Sequence, residues 1–128
     1  MTHAKVIAMR LRWLLIALGL ALVLLGIHLY ALDNHLYWHY RWLDTPVHIL
    51  AGAMMGAAVV GVVLKFRPYS YLFAIAVGAL GWELFENVFG ISTGQPNYVW
   101  DTLHDILNDA LGAVALYVLA RFTIWRSR

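Results

Sequence analysis

Four runs of apolar residues, separated by short polar segments, organise the chain. The first covers roughly residues 11–30 and reads LLIALGLALVLLGI at its centre, without a charge. The others cover roughly residues 46–66, 69–90 and 102–124. Crossing about 30 Å of hydrocarbon takes about 20 apolar residues in a helix. Open sheet edges cannot face lipid. The pattern therefore predicts an all-α, polytopic membrane protein: one transmembrane domain spanning residues 1–128, built as a bundle of four helices. The first run follows Lys5, Arg10 and Arg12, as the apolar core of a signal peptide does. Its core is long, Leu29–Tyr30–Ala31 is a poor cleavage site and further spans follow, so it reads as an uncleaved anchor.

Composition agrees with the pattern. Of the 128 residues, 62% are apolar and 12% are charged, and the formal net charge is +2. The balance excludes an electrostatic nucleic-acid binder and a disordered tail. The absence of cysteine excludes disulfides, zinc–thiolate sites, iron–sulfur clusters and a thiol nucleophile.

Basic residues give the spans a direction. Lys5, Arg10 and Arg12 precede the first span, Lys65 and Arg67 lie in the second connection, and Arg121, Arg126 and Arg128 lie at the C-terminal end. The first connection holds Arg41 and the third holds no basic residue. The positive-inside rule then puts both termini in the cytoplasm, the N-in/C-in arrangement. Tyr37, Trp38, Tyr40, Trp42, Tyr98 and Trp100 crowd the outer connections, where aromatic rings favour the headgroup layer. His28, His35, His39 and His104 read as interfacial.

Six of the seven carboxylates are Asp44, Glu83, Glu86, Asp101, Asp105 and Asp109, with His48 and Asn87 among them. With the spans so directed, all six fall in the outer half of the bundle. Glu83 lies roughly 10 Å below the outer end of the third span, and Asp109 roughly 12 Å below Asp101. Residues four apart share a helix face. The row Asp44, His48 continues into Gly52 and Gly56, and the row Asp101, Asp105, Asp109 continues into Ala113 with Gly112 alongside. Small residues permit close helix approach, so the polar rows converge inside the bundle and the first span buttresses them from the lipid side. Thr45–Pro46 reads as a helix start with Pro46 in its first position. Asp44 and Asp101 also suit helix starts. Carboxylates crowded into a partly dry site bind protons or surround a cation. Oxygen ligands with one imidazole suit Mg, Ca, Mn or Zn. Candidate ligands are Asp44, His48, Glu83, Asp101, Asp105 and Asp109, and Glu86 and His48 are the candidate general bases.

Leu43–Leu50 (LDTPVHIL) and Trp100–Leu107 (WDTLHDIL) echo each other, with His48 in the frame of Asp105. A duplicated helical hairpin would produce this pattern. LDTPVHILAG, GWELFEN and VWDTLHDILNDALGA together resemble the YjdF-like and VanZ-like small membrane proteins, over roughly residues 42–115. The resemblance implies a site at Asp44, His48, Glu83, Glu86, Asp101, Asp105 and Asp109. It also points toward the cell envelope, since VanZ is associated with glycopeptide-antibiotic resistance. Glu83 and Glu86–Asn87 depart from the Glu-x-x-Gln pattern common among VanZ-like sequences.

Three functions compete. One is a metal-dependent hydrolase or transferase of the inner membrane, acting on a lipid or polyprenyl-linked substrate. The second is a structural or accessory subunit with an acidic packing cluster. The third is a cation or proton transport component, which needs an inner gate and hence a homo-oligomer, because the inner halves of the spans are apolar.

Overall fold

The computed structural model describes residues 2–63, 67–90 and 97–123. Lys65, Arg126 and Arg128, used above to orient the spans, lie outside the described residues. The described chain folds as helix α1 (His3–Asp33), a short helix α2 (Leu36–His39), a 3-10 turn (Arg41–Leu43), and helices α3 (Asp44–Val62), α4 (Pro68–Val88) and α5 (Tyr98–Thr123). Four segments are long and apolar enough to cross a membrane: His3–Asp33, Arg41–Val62, Pro68–Val88 and Tyr98–Thr123. The all-α, four-helix expectation holds.

Helix ends follow local chemistry. Arg67 is extended and Pro68 occupies the first turn of α4, where its missing N–H costs nothing. Pro46 differs from expectation. The 3-10 turn runs directly into α3, so the helix begins at Asp44 and Pro46 is its third residue. The first four N–H groups of a helix have no intrahelical acceptor, so proline is accepted there too. Likewise α5 begins at Tyr98, which puts Asp101 inside its first turn. Between α1 and α2, His35 adopts a left-handed conformation (φ 56°) that turns the chain. The Asn34 side-chain amide donates to the Tyr30 carbonyl at 2.9 Å and closes α1.

Helices α3 and α5 form the centre and run parallel, since their contacts advance together. His48 meets Asp105 and Asp109, Gly52 meets the Asp109 backbone, Gly112 meets the backbone of Ile49 and Ala53, and Gly56 faces Leu116. A Cβ on Gly52 or Gly112 would collide with backbone atoms of the other helix. Glycine is required at both positions for this approach.

The outer helices pack against this pair. Leu14 of α1 covers Gly61 of α3, and Trp13 and Leu20 pack around Ala17, Ala57 and Leu116. Helix α4 runs antiparallel to α5: Tyr71 donates to the Ala113 carbonyl at 2.5 Å, while Glu83 pairs with Thr102 nearer the other end. Val60, Tyr71, Ile75, Ala113 and Ala120 fill the core there. Outside, Leu18, Leu22, Leu25, Phe73, Leu80 and Leu84 are exposed, as lipid-facing residues are. The helix directions also segregate charge. Among the described residues, Lys5, Arg10, Arg12, Arg67 and Arg121 gather at one end, and the six clustered carboxylates toward the other.

Gly52→Ala and Gly112→Ala are each expected to destabilise the bundle by about 1–3 kcal/mol through overpacking. Nothing lies within 4 Å of a Cβ on Gly19, so Gly19→Ala should leave stability unchanged or slightly higher. Thermal unfolding in detergent, followed by tryptophan fluorescence, measures the difference.

Candidate metal centre

The first turns of α3 carry Asp44 and His48 on one face. Asp105 and Asp109 on α5 face them just above the glycine contact. His48 is 4% exposed, Asp105 5% and Asp109 1%, whereas Asp44 is half-buried at the rim. His48 Nε2 lies 3.7 Å from Asp44 Oδ1 and 3.8 Å from Asp105 Oδ1. These separations are too long for hydrogen bonds. They are close to the spacing of donors that each stand about 2.1 Å from a shared cation. One ligand atom from each of Asp44, His48 and Asp105 lies within 4.8 Å of the others, so this group could hold a metal ion.

The other imidazole nitrogen, Nδ1, faces Asp109 Oδ1 at 3.4 Å. His48 Nδ1, Asp109 Oδ1 and Glu83 Oε1 are all buried without a hydrogen-bond partner among the described residues. Native interiors rarely leave such atoms unsatisfied, so three in one neighbourhood mark a place where a ligand or a small rearrangement completes the bonding.

Glu83 approaches from α4. It is 5% exposed, and its Oε2 accepts the Thr102 hydroxyl at 3.0 Å. It lies within electrostatic reach of His48, Asp109 and Asp44. Glu86 is half-buried and acts on the same field through Glu83, His48 and Asp44. Asp101 sits farther out, within reach of Asp44, Arg41, His48 and His104. The structure thus gathers Asp44, His48, Asp105 and Asp109 tightly and sets Glu83 beside them. Glu86 and Asp101 stand outside the three-residue group.

Sequence reasoning missed two residues. His28, near the C-terminal end of α1, feels the charges of Asp44 and His48. Its Nδ1 is 2.9 Å from the Tyr37 hydroxyl. Burial, reinforced by the negative charge of Asp44 and Glu86, pushes the Tyr37 phenol up to about 12. The available signal was that His28 is the sole ionisable residue from Trp13 to Leu29. His35, His39 and His104 are exposed.

Four membrane-length helices around a buried Asp–His–Asp group define a multi-pass membrane protein with a candidate cation site. The chain belongs to the family described as Predicted membrane protein (DUF2238), whose model matches residues 2–126. No curated protein and no solved structure matches it.

Thr102→Val removes the hydroxyl that Glu83 Oε2 accepts and is expected to cost about 1–3 kcal/mol, whereas Thr102→Ser should be close to the parent. Comparison of the two melting curves checks this.

Proposed function

We propose that Asp44, His48 and Asp105 bind one divalent cation (Mg, Ca, Mn or Zn). In this reading the protein is a metal-dependent hydrolase or transferase at the extracytoplasmic face of the inner membrane. Its substrate is a lipid, a polyprenyl-linked molecule or another envelope-linked molecule. The observation that carries the proposal is the division of labour at His48, whose Nε2 faces Asp44 and Asp105 while Nδ1 faces Asp109. A histidine that ligates through one nitrogen donates through the other to a carboxylate, which fixes its tautomer. Asp109 is then the orienting partner of His48 and stands behind the ligands.

When bound, a divalent ion polarises a carbonyl or phosphoryl oxygen and lowers the pKa of bound water. The residues of the chain do the rest. Three protein ligands leave coordination positions open, as catalytic sites do. Glu86 is the general base, set near the group without belonging to it. Glu83 and Asp101 are reserve carboxylates on either side. The dication offsets the excess of carboxylates over the one imidazole, which a dry interior would otherwise penalise. The resemblance to YjdF-like and VanZ-like proteins supports an envelope setting.

A second reading, an accessory subunit whose acids hold helices together, is favoured by the bonds from Thr102 to Glu83 and from Asn87 to Tyr98 across α4 and α5. Double substitution Glu83→Gln with Asp105→Asn separates the two. Loss of folding supports adhesion, and a folded protein without metal supports a site. The transport reading is weakened by the apolar packing of Ala57, Val60, Ala113 and Leu116 beneath the group.

Elemental analysis of detergent-purified protein is expected to find about one divalent ion per chain. His48→Ala and Asp105→Asn should lose it, and a chelator should lower the parent's melting temperature. A metal-free parent that takes up none of the four ions would sink the proposal. Orientation has its own check: a fluorescent protein fused after Arg128 should fluoresce in cells, and alkaline phosphatase fused there should stay inactive.

A further inference from the structure

Helix α2 is a single turn whose residues divide by exposure. Leu36 and Tyr37 are half-buried, whereas His35, Trp38 and His39 are exposed. Positions 35, 38 and 39 fall on one helix face. The rings of His35 and Trp38 lie 5.4 Å apart between centroids, so the His35 side chain follows that face although its backbone is left-handed. Two imidazoles therefore share the outward surface of the connection between α1 and α3.

Both rings have a fixed tautomer. His35 Nδ1 lies 3.2 Å from the Leu32 carbonyl oxygen, and His39 Nδ1 lies 3.0 Å from the His35 carbonyl oxygen. A backbone carbonyl only accepts, so in each pair the imidazole donates and its Nδ1 carries the proton. In the neutral ring the lone pair is then on Nε2. A carbonyl behind Nδ1 is also the usual orienting partner of a histidine that ligates through Nε2. The surroundings favour a cation. Helix α1 ends at Asp33, two residues before His35, and the free carbonyls of a helix C-terminus carry partial negative charge. Asp33 is exposed and is the one carboxylate outside the buried cluster.

From this arrangement we infer that His35 and His39 form a second, peripheral metal site, which takes a borderline transition-metal dication such as zinc through both Nε2 atoms. Imidazole suits such ions, whereas Mg and Ca prefer oxygen. Two protein ligands leave the remaining positions of a four-coordinate ion to water. The site takes no ligand from Asp44, His48 or Asp105, so it stands whether or not that group holds an ion. A bound ion clamps the turn through which α1 leads to the 3-10 turn and α3.

The test uses the untagged full chain in detergent at mildly alkaline pH, with isotope-labelled histidine and zinc chloride as probe. Nitrogen NMR resolves the protonation of each ring atom. Before zinc is added, His35 and His39 should each show a protonated Nδ1 and an unprotonated Nε2. Zinc should shift both Nε2 resonances together, and Mg²⁺ at the same concentration should shift neither. His35→Asn, which keeps a residue that tolerates the left-handed backbone, and His39→Gln assign the two signals. In each variant the remaining imidazole should need about tenfold more zinc, because chelation by two linked groups is lost.

Resonances that ignore zinc would overturn the inference. So would a remaining imidazole that titrates in the single variants as it does in the parent, which marks two independent histidines, or equal shifts with Mg²⁺. Weaker zinc response in both variants, with the His48 signals unchanged, supports the site and sets aside a folding defect. The response of His48 in the same spectra bears on the buried group alone, so the two sites fail or stand separately.

Discussion

The backbone of α3 meets the backbone of α5 at Gly52 and Gly112, and that contact sets how far apart every residue above it can stand. Parallel helices joined at one close point diverge slowly on either side. One turn above the contact, His48 and Asp105 are near enough to share a cation without bonding each other directly. A turn below, Gly56 leaves room for the Tyr71 hydroxyl, which bonds the Ala113 carbonyl. In lipid, where burying apolar surface gives helices little reason to associate, such close approach is a main source of adhesion. Packing and site geometry therefore share one origin. A change that widens the crossing alters stability and ligand spacing together.

The bundle reverses the layout of a soluble domain. Large apolar side chains cover its surface, and its most enclosed side chains include Asp109. An ionisable group at the bilayer centre costs about 2.5–3.5 kcal/mol on insertion scales. The carboxylates stay toward one end, and the Asp44 rim is half open, so the group is enclosed by helices without being fully sealed. Beneath it the interior becomes apolar, and the polar group ends where the close contact begins.

Much of this layout was legible in the chain. The four spans follow from hydropathy alone, because lipid imposes length and backbone satisfaction on every segment. The convergence of Asp44, His48, Asp105 and Asp109 was expected from period-four rows that run into small residues, a helix-facing inference that the contacts across α3 and α5 agree with. The two segments that echo each other, around His48 and Asp105, are the ones that pack side by side. What escaped was non-local. Helix α1 has no polar row, so nothing along it distinguished His28 from an interfacial histidine until α2 folded Tyr37 back over it. The pairing of Glu83 with Thr102 depends on the register between α4 and α5, which neither helix encodes by itself. The start of α3 was misjudged because a 3-10 turn feeds it directly.

The order of these residues along the chain bears on how the protein is made. Synthesis delivers α3 before α5. Asp44 and His48 therefore reach the bilayer while Asp105 and Asp109 are still being translated. Because Asp44 and His48 occupy the leading turns of α3, they can wait at the headgroup layer, hydrated, with only the apolar remainder of that helix committed to lipid. Asp109 sits deeper and enters last, with its imidazole partner already present. The polar group is thus assembled as the closing act of insertion. A chain that stops before α5 leaves His48 with Asp44 alone and Glu83 without the Thr102 hydroxyl.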